Sequence, residues 1–356
     1  MKREPLKIAR PKSILIVKLS AIGDVVHSLP LLEVLRKNFP EARIDWLVEE
    51  EGSQIIEGHK DLDRMIVSRR KSWQRRFLRL DRKAALIREI GDFIRSLRAI
   101  RYDVVIDLQG LFKSGILIGL SRGRRKIGFT GGGKEGSYLF LTERPHFFDY
   151  RKHALDRYLA AAESLACSIN SWKGEIPVRP VDRERVDRLL RRHSLYHDVM
   201  VAINPVARWE TKLWDGQKYA PLADKLQREL SCKVLFTGSM EDRPLIDRIA
   251  ERMETRPLNL AGEINLKELA YLYTRCRLVI STDTGPMHIA AAMNTPVVAL
   301  FGPTAPWRTG PYGKIHRVIR EELSCSPCFR KKCSHRTCMS SITVDRVFHT
   351  AKGFIS

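Results

Sequence analysis

The sequence predicts an α/β protein built from two doubly wound, Rossmann-like domains. Three observations support this prediction. The chain has 356 residues, more than a single core usually spans. Apolar runs of strand length alternate with helical patterns, as in parallel βαβ units, and this alternation restarts after a break near residue 170. The content of 44% apolar and 29% charged residues is typical of globular proteins.

The first domain is predicted to cover residues 1–170. Its strands are expected at residues 14–19, 43–48, 64–68, 103–108 and 126–129, and its helices at 25–37, 84–98 and 153–166. Each apolar run is short and is followed by a polar or small-residue segment, which favours strands of a parallel sheet joined by helical crossovers.

A linker is expected at residues 171–181, where Asn, Ser, Gly and Pro interrupt the periodicity. The second domain is predicted at 182–340, with strands at 199–204, 233–237, 278–281 and 296–301 and helices at 182–192, 216–230, 242–253 and 286–293. Residues 341–356 are expected to form a C-terminal helix whose candidate packing partner is the first domain. Open parallel sheets bind ligands at the carboxyl ends of their strands, so the site is expected in a cleft between the two domains.

The strongly basic composition is the unusual bulk property of the chain. The sequence has 63 Lys and Arg against 41 Asp and Glu, a net charge of +22, and its isoelectric point is about 9.9. Such a field attracts nucleic acid, an anionic membrane surface or a phosphorylated substrate, although a solvated basic surface that serves only solubility is the simpler alternative.

The N-terminal segment does not resemble a secretion signal. A basic leader at residues 1–12 runs into a short apolar strand, but Lys18 interrupts the apolar run and no small-residue cleavage site follows. No apolar run approaches the roughly 18 residues that a membrane span needs. We therefore expect a cytoplasmic protein whose membrane association is peripheral.

The first segment with chemical potential follows the first predicted strand, where a small-residue turn at 20–23 leads to Asp24 at the start of a helix. Asp24 is a candidate functional carboxylate. The alternative is that it only caps the helix, because Asp is favoured at helix N-termini.

Two segments of the second domain form a candidate anion site. Residues 279–292 change from strand to polar turn to helix, and the backbone N–H groups at the start of that helix suit a diphosphate. His288, one turn later, is either a phosphate donor or a structural histidine. Lys212 lies in the loop after another strand, where it is either a phosphate ligand or a solvated lysine.

Several segments, in their order along the chain, resemble glycosyltransferase family 9, the ADP-heptose:lipopolysaccharide heptosyltransferases, whose fold is the two-domain GT-B fold. The resemblance covers nearly the whole chain. It rests on residues 18–27, 102–114, 212–214, 283–288 and 301–304. It implies two Rossmann-like domains that face each other across a cleft.

The resemblance also implies the reaction, an inverting and metal-independent transfer of heptose from ADP-L-glycero-D-manno-heptose to the inner core of lipopolysaccharide. Asp24 matches the family's catalytic carboxylate, which takes the proton of the acceptor hydroxyl. Residues 18–20 and 23–27 resemble the enzymes that add the first heptose to Kdo2-lipid A more than those that add the second.

The donor residues follow from the same resemblance. It implies that Lys212, His288 and the backbone of Thr284 and Gly285 bind the diphosphate, and that Asp283 approaches the donor sugar. Ile264 matches a position that packs the adenine ring, and Glu241 lies in a segment near the nucleoside. Where the family often carries hydroxyl residues before the phosphate lysine, this chain has Val206 and Ala207.

The acceptor site is expected on the basic stretch at residues 69–79, with Arg69, Arg70 and Lys71 as its candidate ligands and Lys18 and Lys113 beside them. These cations would pair with the Kdo carboxylates and lipid A phosphates of an anionic, lipid-linked acceptor.

Two other interpretations of the basic stretch remain open. Its aromatic residues, Trp73 and Phe77, also fit an amphipathic membrane-surface helix or a single-stranded nucleic-acid site. A basic nucleic-acid-binding protein is the rival function from another class, although with the resemblance no nucleic-acid partner is expected. An NAD-dependent oxidoreductase lacks support, because no G-x-G-x-x-G follows the first strand and the triple glycine at 131–133 has a different pattern.

Four of the seven cysteines, Cys325, Cys328, Cys333 and Cys338, lie within fourteen residues. In isolation such a cluster suggests zinc or an iron–sulfur centre. Only the first pair has a usual ligand spacing, so a structural cluster without metal is favoured and no cofactor is expected.

Overall fold

The computed structural model describes residues 10–77, 83–130, 136–143 and 146–355. Residues 1–9 of the basic leader, 78 and 79 of the basic stretch and the triple glycine at 131–133 lie outside these ranges. The chain divides into two compact units, Met1–Pro177 and Val178–Ser356. Each unit is built around one parallel sheet.

The first unit contains a six-stranded sheet in the order β3-β2-β1-β4-β5-β6. Its strands are β1 (Ser13–Val17), β2 (Arg43–Glu49), β3 (Arg64–Ser68), β4 (Arg101–Asp107), β5 (Arg122–Thr130) and β6 (His146–Phe147). All neighbouring strands pair in parallel. This order is that of a Rossmann sheet, in which the chain reverses direction across the sheet between β1 and β4.

The helices of the first unit are α1 (Ile22–Val26), α2 (Leu29–Asn38), α3 (Glu50–Ile56), α4 (Arg70–Phe77), α5 (Lys83–Arg98), α6 (Phe112–Leu120) and α7 (Ala154–Glu163). The single helix expected at 25–37 is thus two helices. Pro30 lies in the first turn of α2, where no hydrogen bond within the helix needs its missing N–H. In the middle of a continuous helix, the proline would remove a hydrogen bond and its ring would clash with the preceding turn.

The second unit repeats the arrangement with a sheet in the order β12-β11-β10-β7-β8-β9. Its strands are β7 (Met200–Asn204), β8 (Lys233–Phe236), β9 (Leu258–Asn259), β10 (Leu278–Thr282), β11 (Val297–Phe301) and β12 (Arg317–Arg320). Counted from its own first strand, this is the same Rossmann order. The prediction of two Rossmann-like sheets is therefore confirmed.

The helices of the second unit are α8 (Pro180–Arg192), α9 (Tyr219–Glu229), α10 (Arg243–Ala250), α11 (Leu266–Arg275), α12 (Gly285–Ala292), α13 (Pro306–Thr309), α14 (Thr337–Ser340) and α15 (Val344–Ile355). The C-terminal helix α15 packs in the second unit, whereas the sequence suggested the first domain as its partner. Val347 and Phe348 belong to the same buried cluster as Leu222 and Leu226 of α9. An amphipathic helix buries its apolar face on the nearest apolar surface, and here that surface belongs to its own unit.

Among the helices that were not predicted, which also include α3, α13 and α14, the longest are α6 and α11. α6 is apolar on most sides, and Gly115 and Gly119 admit the ring of Phe140 so closely that a Cβ at Gly115 would lie 2.6 Å from it. Its sequence therefore lacks a helical period. α11 could have been predicted from its capping box, the pattern of Asn265 and Glu268 three residues apart. The Asn265 side chain accepts hydrogen bonds from the amides of residues 267 and 268, and the Glu268 side chain accepts one from the amide of Asn265. Over the described ranges, no helix combines the length and apolarity needed to cross a membrane.

Candidate functional site

Asp24 is the third residue of α1, directly beyond the carboxyl end of β1. Its Oδ2 accepts a hydrogen bond from the amide of Ala21 at 3.3 Å, so the capping role proposed from the sequence is real. Its Oδ1 accepts a second bond, 2.8 Å long, from the hydroxyl of Tyr158 on α7. The side chain is nevertheless 35% exposed. Capping and availability to a ligand are thus compatible at this residue.

Lys18 and Tyr158 form a buried support beneath Asp24. The Lys18 ammonium donates to the Tyr158 hydroxyl at 2.7 Å and lies 3.7 Å from Asp24 Oδ2. Burial raises the pKa of Tyr158 well above its ordinary value, and the charge of Asp24 adds to this. Tyr158 therefore stays protonated and donates a hydrogen bond to Asp24. The sequence suggested Lys18 as an acceptor ligand. Its side chain is only 3% exposed, and its ammonium donates hydrogen bonds to the Tyr158 hydroxyl and the Leu108 oxygen.

The loop between β1 and α1 is held from the neighbouring strand. The Gln109 side chain accepts hydrogen bonds from the amides of Leu19 and Ser20, at 3.2 and 3.1 Å. Asp107 in turn accepts bonds from the amides of Gln109 and Gly110, both at 3.0 Å. These bonds give the loop that leads into Asp24 a defined backbone path.

Next to this loop, a buried glutamate forms ion pairs with part of the basic surface. Glu49, at the carboxyl end of β2, is 2% exposed. Its Oε1 accepts bonds from Arg70 at 3.0 Å and Lys113 at 3.2 Å, and Lys71 lies 3.8 Å from its Oε2. Lys113 also donates to the Ser20 hydroxyl at 3.0 Å. We call Glu49, Arg70, Lys71 and Lys113 the Glu49 cluster.

The rest of the basic stretch is paired differently from what the sequence suggested. Arg69 lies 3.5 Å from both Glu50 and Glu89, so acidic side chains neutralise much of its field. Trp73 donates to Glu89 at 3.0 Å and packs edge-on against Phe93. Trp73 thus anchors α4 to α5 instead of presenting its ring to a membrane or a base, and of the two aromatic residues only Phe77 is largely exposed.

In the second unit, Lys212 and Asp283 meet at the carboxyl edge of the sheet. The Lys212 ammonium is 2.7 Å from Asp283 Oδ2 and 3.3 Å from its backbone oxygen. Thr304, in the loop after β11, donates to the same Oδ2 at 2.6 Å. The Lys212 side chain is 17% exposed and lies over the ring of Trp209. Lys212 is therefore held in place and is not a solvated loop lysine.

α12 begins directly after this ion pair. Thr284 is its N-cap residue and makes no side-chain capping bond, and Pro286 lies in the first turn. A helix start with such uncapped amides is suited to an anion. His288, one turn in, is largely buried with the inner face of the helix, a position that also fits the structural role considered for it.

Ile264 and Glu241 lie on two loops that contact each other. The amide of Gly262 donates to the Gly238 oxygen at 3.0 Å, and a Cβ at Gly262 would lie 2.8 Å from Met240 Cε. Gly262 also has φ +76°, which favours glycine. These loops follow β9 and β8, so they lie at the same sheet edge as Lys212 and Asp283; Ile264 is half-buried and Glu241 is exposed.

Tyr158, Glu49 and Thr304 were missed by the sequence analysis. Glu49 carried a usable signal, because a carboxylate at the end of a parallel strand lies at the ligand edge of its sheet. Tyr158 carried none, since it is 134 residues from Asp24 and lies in an ordinary helical pattern. Thr304 belongs to a segment that was recognised, but its contact with Asp283 depends on the fold.

The seven cysteines are free thiols. Within the part of the chain that the structure describes, no three His, Cys, Asp or Glu side chains already form a set that could hold a metal ion.

Comparison with known proteins gives consistent likenesses. The profile of glycosyltransferase family 9 (heptosyltransferase) matches residues 90–339. The lipopolysaccharide core heptosyltransferase OpsX of Haemophilus influenzae is 27% identical over 321 residues, which cover 88% of this chain and 86% of that protein. Lipopolysaccharide heptosyltransferase 1 of Salmonella typhimurium is 30% identical over 323 residues, 88% of this chain and 94% of that protein.

A solved structure shows the same likeness in three dimensions. The Escherichia coli heptosyltransferase WaaC with ADP has a TM-score of 0.76 and 26% identity to this chain, with 96% of this chain and 99% of that chain covered.

Proposed function

This chain belongs to glycosyltransferase family 9, and from that premise we propose that it transfers heptose from ADP-L-glycero-D-manno-heptose to the inner core of lipopolysaccharide. The protein is a glycosyltransferase of the GT-B fold. The finer assignment, the first heptose added to Kdo2-lipid A, is supported by the resemblance of residues 18–20 and 23–27 to first-heptose enzymes.

The observation that carries this proposal is the arrangement of Asp24. Tyr158 orients its carboxylate, yet the side chain remains 35% exposed. A carboxylate in this position can take the proton of an acceptor hydroxyl while that oxygen bonds to the anomeric carbon and the bond to ADP breaks. Inversion in a single displacement needs no second carboxylate as nucleophile. Lys18 and Tyr158 act as positioning residues in this scheme.

In the donor site, Lys212 and the first amides of α12 bind the diphosphate. An ammonium has three donors, and the bonds of Lys212 to Asp283 account for two of them. Positive charge and N–H groups placed at the leaving phosphate stabilise the negative charge that develops on ADP. Asp283 positions Lys212, Thr284 and Gly285 contribute amides, and Ile264 and Glu241 lie where the adenosine binds.

The Glu49 cluster binds the anionic acceptor. Three cations, Arg70, Lys71 and Lys113, lie against two carboxylates, the buried Glu49 and the exposed Glu51, which is 2.6 Å from Lys71, so a net positive charge remains available for a ligand. Guanidinium and ammonium groups held in this way pair with carboxylate or phosphate at little further ordering cost. An acceptor with a lipid anchor places the enzyme on the inner face of the bacterial inner membrane, where its basic charge favours peripheral binding to anionic lipid.

The proposed reaction is tested by measuring ADP release with defined donors and acceptors. We expect turnover with ADP-heptose and Kdo2-lipid A, and much less with UDP-glucose as donor. An acceptor that already carries the first heptose should also be poor. Faster turnover with that heptosylated acceptor would contradict the first-heptose assignment. If neither acceptor supported ADP release, the proposed transfer to lipopolysaccharide would be contradicted.

We expect binding of the acceptor to depend on the residues of the basic stretch that belong to the Glu49 cluster. Arg70→Ala should raise the acceptor KM by about tenfold or more, since a charge-assisted hydrogen bond contributes roughly 1.5–3 kcal/mol, and should leave the donor KM unchanged. The matched control is Arg76→Ala on the same helix, because Arg76 pairs with Glu89 on α5. Steady-state kinetics with varied Kdo2-lipid A measure both variants. An equal effect of the two would show that the stretch acts only through its overall charge.

A further inference from the structure

The four clustered cysteines of the second unit converge on one cavity, although they are spread over fourteen residues. This cavity has a volume of about 190 Å³, and Cys325, Cys328, Cys333 and Cys338 all line it, together with His335 and Thr211. The four cysteines therefore border a common space, which the sequence spacing alone did not imply.

Two residues beside the cysteines have a left-handed backbone conformation. Phe329, which directly follows Cys328, has φ +55°, and Arg336, three residues after Cys333, has φ +47°. Bulky residues rarely adopt this left-handed conformation, and when they do it usually serves a local purpose. Here the amides of Arg336 and His335 make hydrogen bonds to the Cys333 sulfur. Bonds of this kind orient and stabilise thiolate ligands in metal sites.

The charge of the segment also favours a cluster of thiolates. Residues 325–338 include Arg330, Lys331, Lys332 and Arg336 and contain no Asp or Glu. Four thiolates around a divalent ion leave a net charge of −2, which these cations offset.

We propose that Cys325, Cys328, Cys333 and Cys338 bind one Zn²⁺ ion as a closed, tetrahedral four-thiolate site. Four sulfur ligands with no open position are typical of structural zinc. The thiols are not yet grouped at ligand distance, so binding requires them to close on the ion as each releases its proton to solvent. His335 is left out of the ligand set, because four thiolates already complete a tetrahedral site.

The proposed zinc site is structural, and its segment supports the loop that carries Lys212 and the loop after β11. The Thr211 hydroxyl, next to Lys212, donates to the Arg330 oxygen at 2.8 Å. The Ser326 hydroxyl donates to the Gly302 oxygen at 2.6 Å, and the amides of residues 328 and 329 both donate to the Pro303 oxygen. Zinc bound at the cysteines thus fixes the segment on which the Lys212 loop and the loop after β11 rest.

The test begins with the metal content of the full-length protein purified without chelator. We expect one equivalent of zinc per chain, lost in Cys328→Ser and retained in Cys167→Ser, which removes a cysteine of the first unit outside the cluster. A zinc chelator should lower the melting temperature of the wild type and of Cys167→Ser, and added Zn²⁺ should restore it. Cys328→Ser should melt at the lower temperature with or without added zinc.

A spectroscopic arm on the wild type keeps the proposal testable if Cys328→Ser fails to fold. Co²⁺ added to the chelator-treated protein should give the strong thiolate-to-metal charge-transfer band and the visible bands of tetrahedral cobalt, and Zn²⁺ should displace both. The proposal is overturned if the purified protein holds no metal and Co²⁺ gives no such bands. Acid-labile sulfide, which marks an iron–sulfur cluster, or disulfides among the four cysteines would overturn it equally.

Discussion

Asp24→Asn is expected to lower kcat by about 10²–10⁴-fold, the range that a general base contributes. Asparagine has the shape of aspartate and still offers an oxygen to the Ala21 amide, so it preserves the cap on α1. It has no carboxylate to accept the acceptor's proton. The measurement is ADP release at saturating ADP-heptose and Kdo2-lipid A, with the melting temperature recorded in parallel.

The asparagine variant separates the two roles of Asp24. Asp24→Ala loses the cap as well, so it should show the same loss of kcat together with a stability loss of about 1 kcal/mol. Asp92→Asn, at an exposed position of α5, is the control for loss of a carboxylate and should leave kcat unchanged. Normal turnover by Asp24→Asn would remove Asp24 as the base and leave it a capping residue only.

Lys212→Ala is expected to lower kcat/KM for the donor by about 10²–10³-fold, or roughly 2.7–4 kcal/mol, the effect of removing one preorganised donor from a developing negative charge. The change also leaves Asp283 buried without its cation, which adds repulsion toward a diphosphate. Kinetics with varied ADP-heptose at saturating acceptor measure the effect.

Lys331→Ala is the matched control for Lys212. The Lys331 ammonium lies 5.3 Å from the centroid of the same Trp209 ring over which the Lys212 ammonium lies at 4.7 Å. Of the two lysines, Lys212 is the one that bonds to Asp283. Loss of a nearby positive charge is common to both variants. If Lys331→Ala weakened the donor reaction as much as Lys212→Ala, the general field and not a specific phosphate contact would explain the result.

The central strands could be predicted because burial on both faces leaves a clear trace in the sequence. β1, β7 and β10 are short runs, every one of them buried or nearly so, and their positions were expected within one or two residues. The two-residue strands β6 and β9 carry no such pattern. α6 was missed because its exposed positions, such as Phe112 and Ile116, are apolar as well as its buried ones, so no polar face marks a helical period.

The candidate site was predicted only in part. Asp24, Lys212 and Asp283 follow strands of parallel sheets, so the order of strands and turns pointed to them before any contact was known. Their partners could not be found in the same way. Tyr158 and Thr304 reach the site from distant segments, and their polar groups are unremarkable in the sequence.

The sequence by itself determined two Rossmann-like sheets and the residues at the strand ends, because hydrophobic periodicity and turn chemistry are local properties. Its motifs in addition resembled those of the family. Only the tertiary structure decided which charges are paired. It placed Arg70, Lys71 and Lys113 on one buried glutamate, neutralised Arg69 with other carboxylates and buried Lys18 beneath Asp24. It also brought four cysteines to one cavity. Ion pairing and ligand geometry depend on distances of a few ångströms between segments far apart in the chain, and only the folded backbone sets those distances.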